Sequence, residues 1–216
     1  MTVYTYDEKG KYTIPVRAMI CSTGLDNSTI TGDYTIGIKS EWLSLVGDVF
    51  GRYISGIAGD YLFHSVPYYS MSEEDLELEE FNKLGEQASQ GCVRLAVSDA
   101  KWVYDNCPTG TNVSIYDDAE NAGPLGKPDA IKITDFTNKW DPTDSNKKCP
   151  YAKATPIISG ANDYTIKSGG EFYALAGVTA VDTCGNDITP NIEVFRQCSN
   201  HPKRQVQGNI FSHRCA

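Results

Sequence analysis

The chain has 216 residues, 40% of them hydrophobic and 22% charged, with a formal net charge of -9. That length supports one large domain or two modest ones, and the composition is that of a globular protein rather than a disordered one. The negative charge repels phosphate backbones, which argues against nucleic acid as a partner, and no apolar run approaches the roughly 20 residues needed to span a bilayer.

Thirteen Tyr and 19 Gly, with many short Thr/Val/Ile/Tyr runs, predict a mainly β fold with a few short helices. Met1–Tyr6 has neither the basic start nor the apolar centre of an export signal. The chain therefore reads as cytoplasmic, or as exported with its leader and upstream modules removed. Tyr12–Ile20 is predicted as a strand. Asp26-Asn27-Ser28 and Gly32-Asp33 supply turn chemistry, and Tyr34–Ile38 and Gly51–Ile57 are predicted as further strands. Met71–Glu86 carries seven acidic residues, with Leu76, Leu78, Phe81 and Leu84 interleaved. It is predicted as a short helix with a solvated acidic face, in a surface insertion. The sharper alternative is a lid that repels anions or recruits a cationic substrate.

Ser98 is predicted to cap a helix that runs through Asn106 and stops at Pro108. Asn112–Tyr116 alternates like a closing strand. Residues 1–118 thus form one expected domain. Residues 119–153, rich in Asp, Asn, Pro, Gly and Lys, form an expected linker or boundary segment that partly packs on it. Residues 154–216 form an expected small β module. Its strands are Ile157-Ile158, Asp163–Ile166 and Phe172–Leu175, and its turns are Gly169-Gly170 and Cys184–Asp187.

The seven cysteines are an odd number, so at least one has no partner within the chain. None sits in a C-x-x-C pair and the three His are scattered, so no metal site is expected. Cysteine acyl transfer needs a thiolate, a base to form it, and donors for the tetrahedral oxyanion. Ser89-Gln90-Gly91-Cys92 offers a nucleophile preceded by glycine, where backbone approaches a reacting carbonyl closely. His64, in Tyr61–Ser65, is the only histidine of the first domain. It is either a half-buried core histidine or the base beside Cys92. Cys92 alone reads more readily as an ordinary core thiol, and sequence separation says nothing about its distance from His64.

The ordered landmarks resemble the L,D-transpeptidase catalytic domain, also called the YkuD domain. His64-Ser65, a spacer, and Ser89-Gln90-Gly91-Cys92-Val93-Arg94-Leu95 match that family's His and Ser/Thr-His-Gly-Cys signature. Leu84-Gly85 precedes the motif, Asp99–Trp102 follows it, and Gly110–Val113 leads into the last strand. The resemblance covers about residues 3–118 and implies a YkuD-like β-sandwich or barrel. Gln90 stands where the family has His, and still donates and accepts hydrogen bonds. The spacer is longer than the family's minimal one, and the family's Thr-Pro-x-Gly turn appears as Thr29–Gly32 without proline.

The resemblance implies a mechanism. His64 takes the Cys92 proton, and Ser65 orients His64 through its backbone carbonyl. Cys92 attacks the third residue of a tetrapeptide stem and expels D-Ala, while N–H groups around Gly91 hold the oxyanion. An amine from a neighbouring peptidoglycan stem then resolves the thioester into a 3-3 cross-link. Arg94 either holds the donor's carboxylate or structures the loop, with Gln90 and Ser89 also lining the substrate. No cofactor or metal is needed, a monomer is expected, and the implied place is the envelope or exterior of a bacterium. An L,D-carboxypeptidase using water, and a non-catalytic wall-binding module with a degenerate site, are the other readings. In an exported protein Cys21 and Cys107 form either a disulfide or two free thiols.

The second module resembles bacterial immunoglobulin-like repeats, through Phe172–Ala180, Asp182, Gly185–Thr189 and Ile192–Val194. Beyond about Phe195 the pattern breaks, so the module is expected to be incomplete with an aberrant tail. Suitable codons for that tail, read one base over, spell Gly-Asn-Val-Ala-Thr-Thr-Gln-Lys-Gly-Lys-Tyr-Lys-Val-Thr-Tyr-Ser-Val-Thr, the expected continuation of the repeat. Cys198, Cys215, His201 and His213 would then have no role. Sequencing the source DNA checks this: the alternative frame should be present, and codons that do not encode it refute the frameshift.

Overall fold

The computed structural model describes residues 1–118, 120–153, 157–161, 175, 177–181, 189, 192–198 and 206–211. Two compact units emerge, residues 1–145 and 146–215.

The first unit is mainly β. Its strands are β1 (Thr2–Tyr6), β2 (Tyr12–Ala18), β3 (Cys21–Gly24), β4 (Gly32–Thr35), β5 (Lys39–Leu45), β6 (Val49–Ala58), β7 (Tyr61–Ser65), β8 (Gln87–Ser89), β9 (Val93–Leu95) and β10 (Asn112–Ile115). Two helices interrupt them, α1 (Leu78–Phe81) and α2 (Val97–Asn106). β1 pairs with β2 and β4 with β10, each as a separate antiparallel pair. The main sheet has the order β5-β6-β7-β9-β3-β8. β6 turns into β7 through Gly59-Asp60, with Ala58 opposite Tyr61 and Gly59 at φ 53. A two-residue hairpin turn of this kind favours glycine at its first position.

β7 and β9 run parallel, with Phe63 opposite Val93, His64 opposite Arg94 and Ser65 opposite Leu95. Side chains alternate across a strand, so this register sorts them by face. Phe63, Val93 and Leu95 join the main core with Met19, Ile36, Ile57 and the α2 residues Ala100 and Val103. His64 and Arg94 face the other way.

A parallel pair cannot be closed by a short turn, so the chain between β7 and β9 must form a long crossover. Residues 66–92 are that crossover. Val66, Tyr68, Leu76, Leu78, Phe81 and Leu84 bury there, with Ile20, Ala96 and Ile133, in a second core. This corrects the expectation for Met71–Glu86. Only Leu78–Phe81 is helical, and the segment is a core-forming crossover rather than a surface insertion. Its apolar residues bury on the protein, which leaves little length for a regular helix. Its acids reach cations: Glu73 pairs with Arg52, Asp75 with Lys139, and Glu80 with both Lys83 and Arg94.

Residues 120–145 pack along the crossover. Asn82 donates to the Ile133 carbonyl and accepts from the Ile133 N–H, at 2.8 and 2.6 Å. The Leu76 N–H donates to the Lys139 carbonyl. Farther on, Asp141 is wholly buried and accepts from the Val97 N–H at 2.8 Å, and Thr143 Oγ1 accepts from the Ser98 N–H at 3.1 Å. The start of α2 is therefore capped from a distant segment. Ala96 occupies the cap position with no side-chain bond, so Ser98 is not the cap that local sequence suggested.

In the second unit β11 (Ile157–Ser159) pairs antiparallel with β12 (Thr179–Val181), and β13 (Glu193–Cys198) with β14 (Val206–Phe211). Val178, Ala180 and Ile192 form a small core against Ile158. The predicted strands Asp163–Ile166 and most of Phe172–Leu175, and the turns Gly169-Gly170 and Cys184–Asp187, lie outside the described residues, as do Cys184, Cys215, His201 and His213. Cys21, Cys92 and Cys107 are free thiols. No helix among the described residues is long and apolar enough to cross a membrane.

The two candidate caps separate cleanly at pH 7.5. Asp141→Ala removes a buried acceptor from the α2 N-terminus and is expected to cost about 2 kcal/mol of unfolding free energy. Ser98→Ala is expected to stay within about 0.5 kcal/mol of the parent. Urea unfolding of both variants measures the difference, and equal losses would restore Ser98 as the cap.

Candidate active site

His64 comes from β7, where its side chain is 2% exposed. Gly51 on the neighbouring β6 leaves room for the ring: a Cβ there would stand 3.1 Å from His64 Nδ1. His64 Nδ1 lies 2.5 Å from the Ser65 carbonyl oxygen. A carbonyl only accepts, so Nδ1 carries the proton and Nε2 keeps its lone pair. Ser65 is itself fixed. Its hydroxyl accepts from the Arg52 N–H at 2.9 Å and donates to the Val66 carbonyl at 2.8 Å. Burial lowers the His64 pKa to about 4, the Ser65 contact opposes that shift, and the positive charge of Arg94 adds to it. The imidazole is thus neutral near pH 7, the form a general base requires.

Cys92 sits one residue before β9, in a loop tied at several points. Ser89 Oγ accepts from the Gly91 N–H at 3.0 Å and donates to the Cys92 carbonyl at 2.6 Å. Thr29 Oγ1 accepts from the Gly24 N–H at 2.7 Å and donates to the Gly91 carbonyl at 2.8 Å. Gly91 has φ 137, and a Cβ there would meet Tyr61 Cε1 at 2.7 Å and the Ser28 carbonyl at 3.3 Å. Glycine is required by conformation and by space at once. The Cys92 thiol donates to the Asp60 carbonyl at 3.5 Å, against the start of β7. Burial pushes the thiol up, while a backbone hydrogen bond from Leu62 and the charge of Arg94 pull it down, and Asp60 adds to the rise. No hydrogen bond joins Cys92 to His64 in this resting arrangement. Substrate-free sites often hold such pairs loosely.

Arg94, in register with His64, places a terminal nitrogen 2.5 Å from Glu80 Oε2, and its Nε is buried without a partner. Against its burial penalty, hydrogen bonds from Lys83 and Arg94 hold Glu80 below the usual carboxylate range. Gln90 is exposed. Of the sequence-predicted residues, β7 and β9 bring His64, Ser65, Cys92 and Arg94 together, with Ser89 and Gly91 shaping the loop. The Gly91 N–H, expected to face an oxyanion, is occupied by Ser89 Oγ. Sequence reasoning missed Thr29 as the clamp on Gly91, although Thr29–Gly32 had been singled out as a turn. It also missed Arg52, Asp60 and Glu80, which no motif marks. No His/Cys/Asp/Glu group among the described residues is arranged to hold a metal ion.

Residues 1–115 match the family model for the L,D-transpeptidase catalytic domain, YkuD. A Bacillus subtilis (strain 168) protein named Putative L,D-transpeptidase YciB is 37% identical over 118 residues, which is 51% of this chain and 59% of that protein. The chain thus spans less than two thirds of that relative's length. Among solved structures, a fused Zn-dependent amidase/peptidase/peptidoglycan-binding domain-containing protein from Clostridium acetobutylicum ATCC 824 is 35% identical. That match covers 44% of this chain and 38% of the other, with a TM-score of 0.33. An L,D-transpeptidase (Yku) from Stackebrandtia nassauensis is 20% identical over 55% of this chain and 52% of its own, with a TM-score of 0.38.

Substitution at Gly91 tests the loop geometry. Gly91→Ala meets both positive-φ strain and the Tyr61 ring, and is expected to lose about 1–3 kcal/mol. Gly110→Ala, at φ 91 with open space around it, should lose only the strain part, about 1 kcal/mol. Guanidinium unfolding of both checks this, and equal costs would remove the steric role of Gly91.

Proposed function

The chain belongs to the L,D-transpeptidase catalytic-domain family, and on that premise we propose that it is a cysteine acyl transferase that forms 3-3 cross-links in peptidoglycan. The observation that carries this reading is the parallel pairing of β7 with β9. It sets a buried neutral imidazole and the Gly91-Cys92 loop on adjacent strands. His64 Nε2 accepts the thiol proton as Cys92 Sγ attacks the carbonyl of the third stem residue. The oxyanion takes the Cys92 N–H, since Gly91 N–H already serves Ser89. The C–N bond to D-Ala breaks, and the imidazolium returns its proton to the leaving amine. An acceptor amine then attacks the thioester. It forms the new C–N bond, gives a proton to His64 and releases the Cys92 thiolate, which His64 reprotonates. Ser65 keeps the ring in the tautomer this sequence needs. Arg94 contributes positive charge beside both groups, and its Glu80 partner must loosen if a donor carboxylate is to reach it.

The working place on this reading is the bacterial envelope, where stem peptides occur. The second unit, on the same reading, is an immunoglobulin-like spacer.

Incubation with a tetrapeptide stem, with and without an acceptor amine, tests the proposal by product analysis and intact mass. A Cys92 adduct with cross-linked dimer supports it. Tripeptide alone would indicate a carboxypeptidase, and no adduct, with Cys92→Ala behaving as the parent, would indicate a wall-binding module. His64→Asn is expected to lose at least about a hundredfold in kcat/KM.

The pH dependence has a definite sign. Protonation of His64 removes the base, so kcat/KM should fall as pH drops through about 4, while near pH 7 the base is fully available. An acid limb near 6.5 would mean an imidazole exposed to water. Circular dichroism at each pH separates this limb from unfolding.

A further inference from the structure

We propose that Arg52 is the positioning residue for His64: its buried side chain, locked by Asp144 and Glu73, fixes the backbone donor that holds Ser65 and thereby the imidazole. The proposal rests on the reading of His64 as the base. Arg52 is 5% exposed, which is rare for arginine unless it is paired. Its guanidinium reaches Asp144 Oδ2 at 3.0 Å and Glu73 Oε1 at 2.9 Å, with Glu41 Oε1 at 3.6 Å. It also lies 4.6 Å from the Tyr53 ring centroid and 5.3 Å from that of Trp42. Asp144 belongs to the 120–145 segment and Glu73 to the crossover. Two segments far apart in sequence therefore converge on one β6 side chain.

The backbone at this point is unusual. β5 and β6 pair Ser40 with Ile54 and Trp42 with Arg52, so Tyr53 falls opposite Glu41 in an unshifted register, and the departure lies in its backbone angle. Tyr53 has φ 53, a left-handed conformation that a bulky side chain adopts only when its surroundings impose it. Gly51, on the other side of Arg52, walls the imidazole. The Arg52 N–H lies between them and donates to Ser65 Oγ. Strand pairing alone would not select this conformation. The anchored guanidinium on one side and the stacked Tyr53 ring on the other do. Around Arg52 the charged or titratable groups are Glu41, Glu73, Lys101, Asp144, Tyr53 and Tyr68, and Arg94 is the charge that acts on His64.

The full chain is compared as parent, Arg52→Lys, Asp144→Asn and Arg17→Lys. Arg17 also pairs with a carboxylate, Asp99, and lies over Trp102, but it is remote from Ser65 in the hydrogen-bond pattern. Imidazole NMR titration reads the His64 midpoint, with the resonances assigned by His64→Asn, and steady-state assays read kcat and KM. Arg52→Lys and Asp144→Asn are expected to raise the His64 midpoint by about one unit as the ring gains water. They should also lower kcat at least about tenfold with KM nearly unchanged, as misplacement of a catalytic group does. Arg17→Lys should lower the melting temperature without moving either. If Arg52→Lys does not fold, Asp144→Asn gives the reading alone. A folded variant whose His64 midpoint equals the parent's overturns the proposal. The NMR arm needs no substrate, so a parent without acyl-transfer activity would sink the functional reading and leave the positioning test intact.

Discussion

The parallel pairing of β7 and β9 is the constraint from which the rest of this unit follows. It puts His64 beside Arg94 on one face, and Phe63, Val93 and Leu95 in the core on the other. A parallel pair demands a long connection. That connection must bury apolar surface of its own or remain a loose loop, and here it forms the second core around Tyr68, Leu76, Phe81 and Leu84. The face that carries His64 and Arg94 and the crossover core are thus two results of one strand arrangement.

Charge distribution follows from the same arrangement. The crossover brings Glu73 to Arg52 and Glu80 to Arg94, both next to the paired strands. Breaking a buried pair is costly, typically 3–5 kcal/mol, yet the intact pair adds little over apolar packing. The Arg52 cluster is therefore poorly explained as a source of stability. A role in fixing one local conformation, beside the buried His64 imidazole, accounts better for the desolvation it carries.

Much of this was legible in the sequence, and the limits have physical causes. The strands at Tyr12–Ala18, Val49–Ala58 and Asn112–Ile115 were readable from β-branched and aromatic runs. Lys39–Leu45 was not, because Lys39, Ser40, Glu41 and Ser44 mask the pattern of an edge strand. His64 and Cys92 were legible as a candidate pair by residue type and motif, but their relation in space needed the register. Met71–Glu86 misled because acidic residues at such density normally signify solvent. Leu76 and Phe81 bury completely here, and the acids are drawn to specific cations. Capping of α2 by Asp141 was invisible because the local candidate, Ser98, satisfied the usual rule, while the actual acceptor comes from more than 40 positions away.

The protonation states bear most directly on mechanism. A cysteine enzyme can rest as a thiolate–imidazolium pair or as a neutral pair. Here burial acts on both groups in the direction of neutrality, lowering the base to about 4 and raising the thiol. Arg94 opposes the shift at Cys92 but adds to it at His64, so its charge favours a thiolate without favouring an imidazolium. Glu80 partly screens that charge. A substrate carboxylate that drew Arg94 away from Glu80 would bring its own negative charge in exchange, and the balance at Cys92 would change little. On the proposed reading, the proton then moves during attack rather than before it. That places the demand on the geometry of His64 Nε2, and explains why so much of the surrounding structure is spent holding one imidazole ring by its other nitrogen.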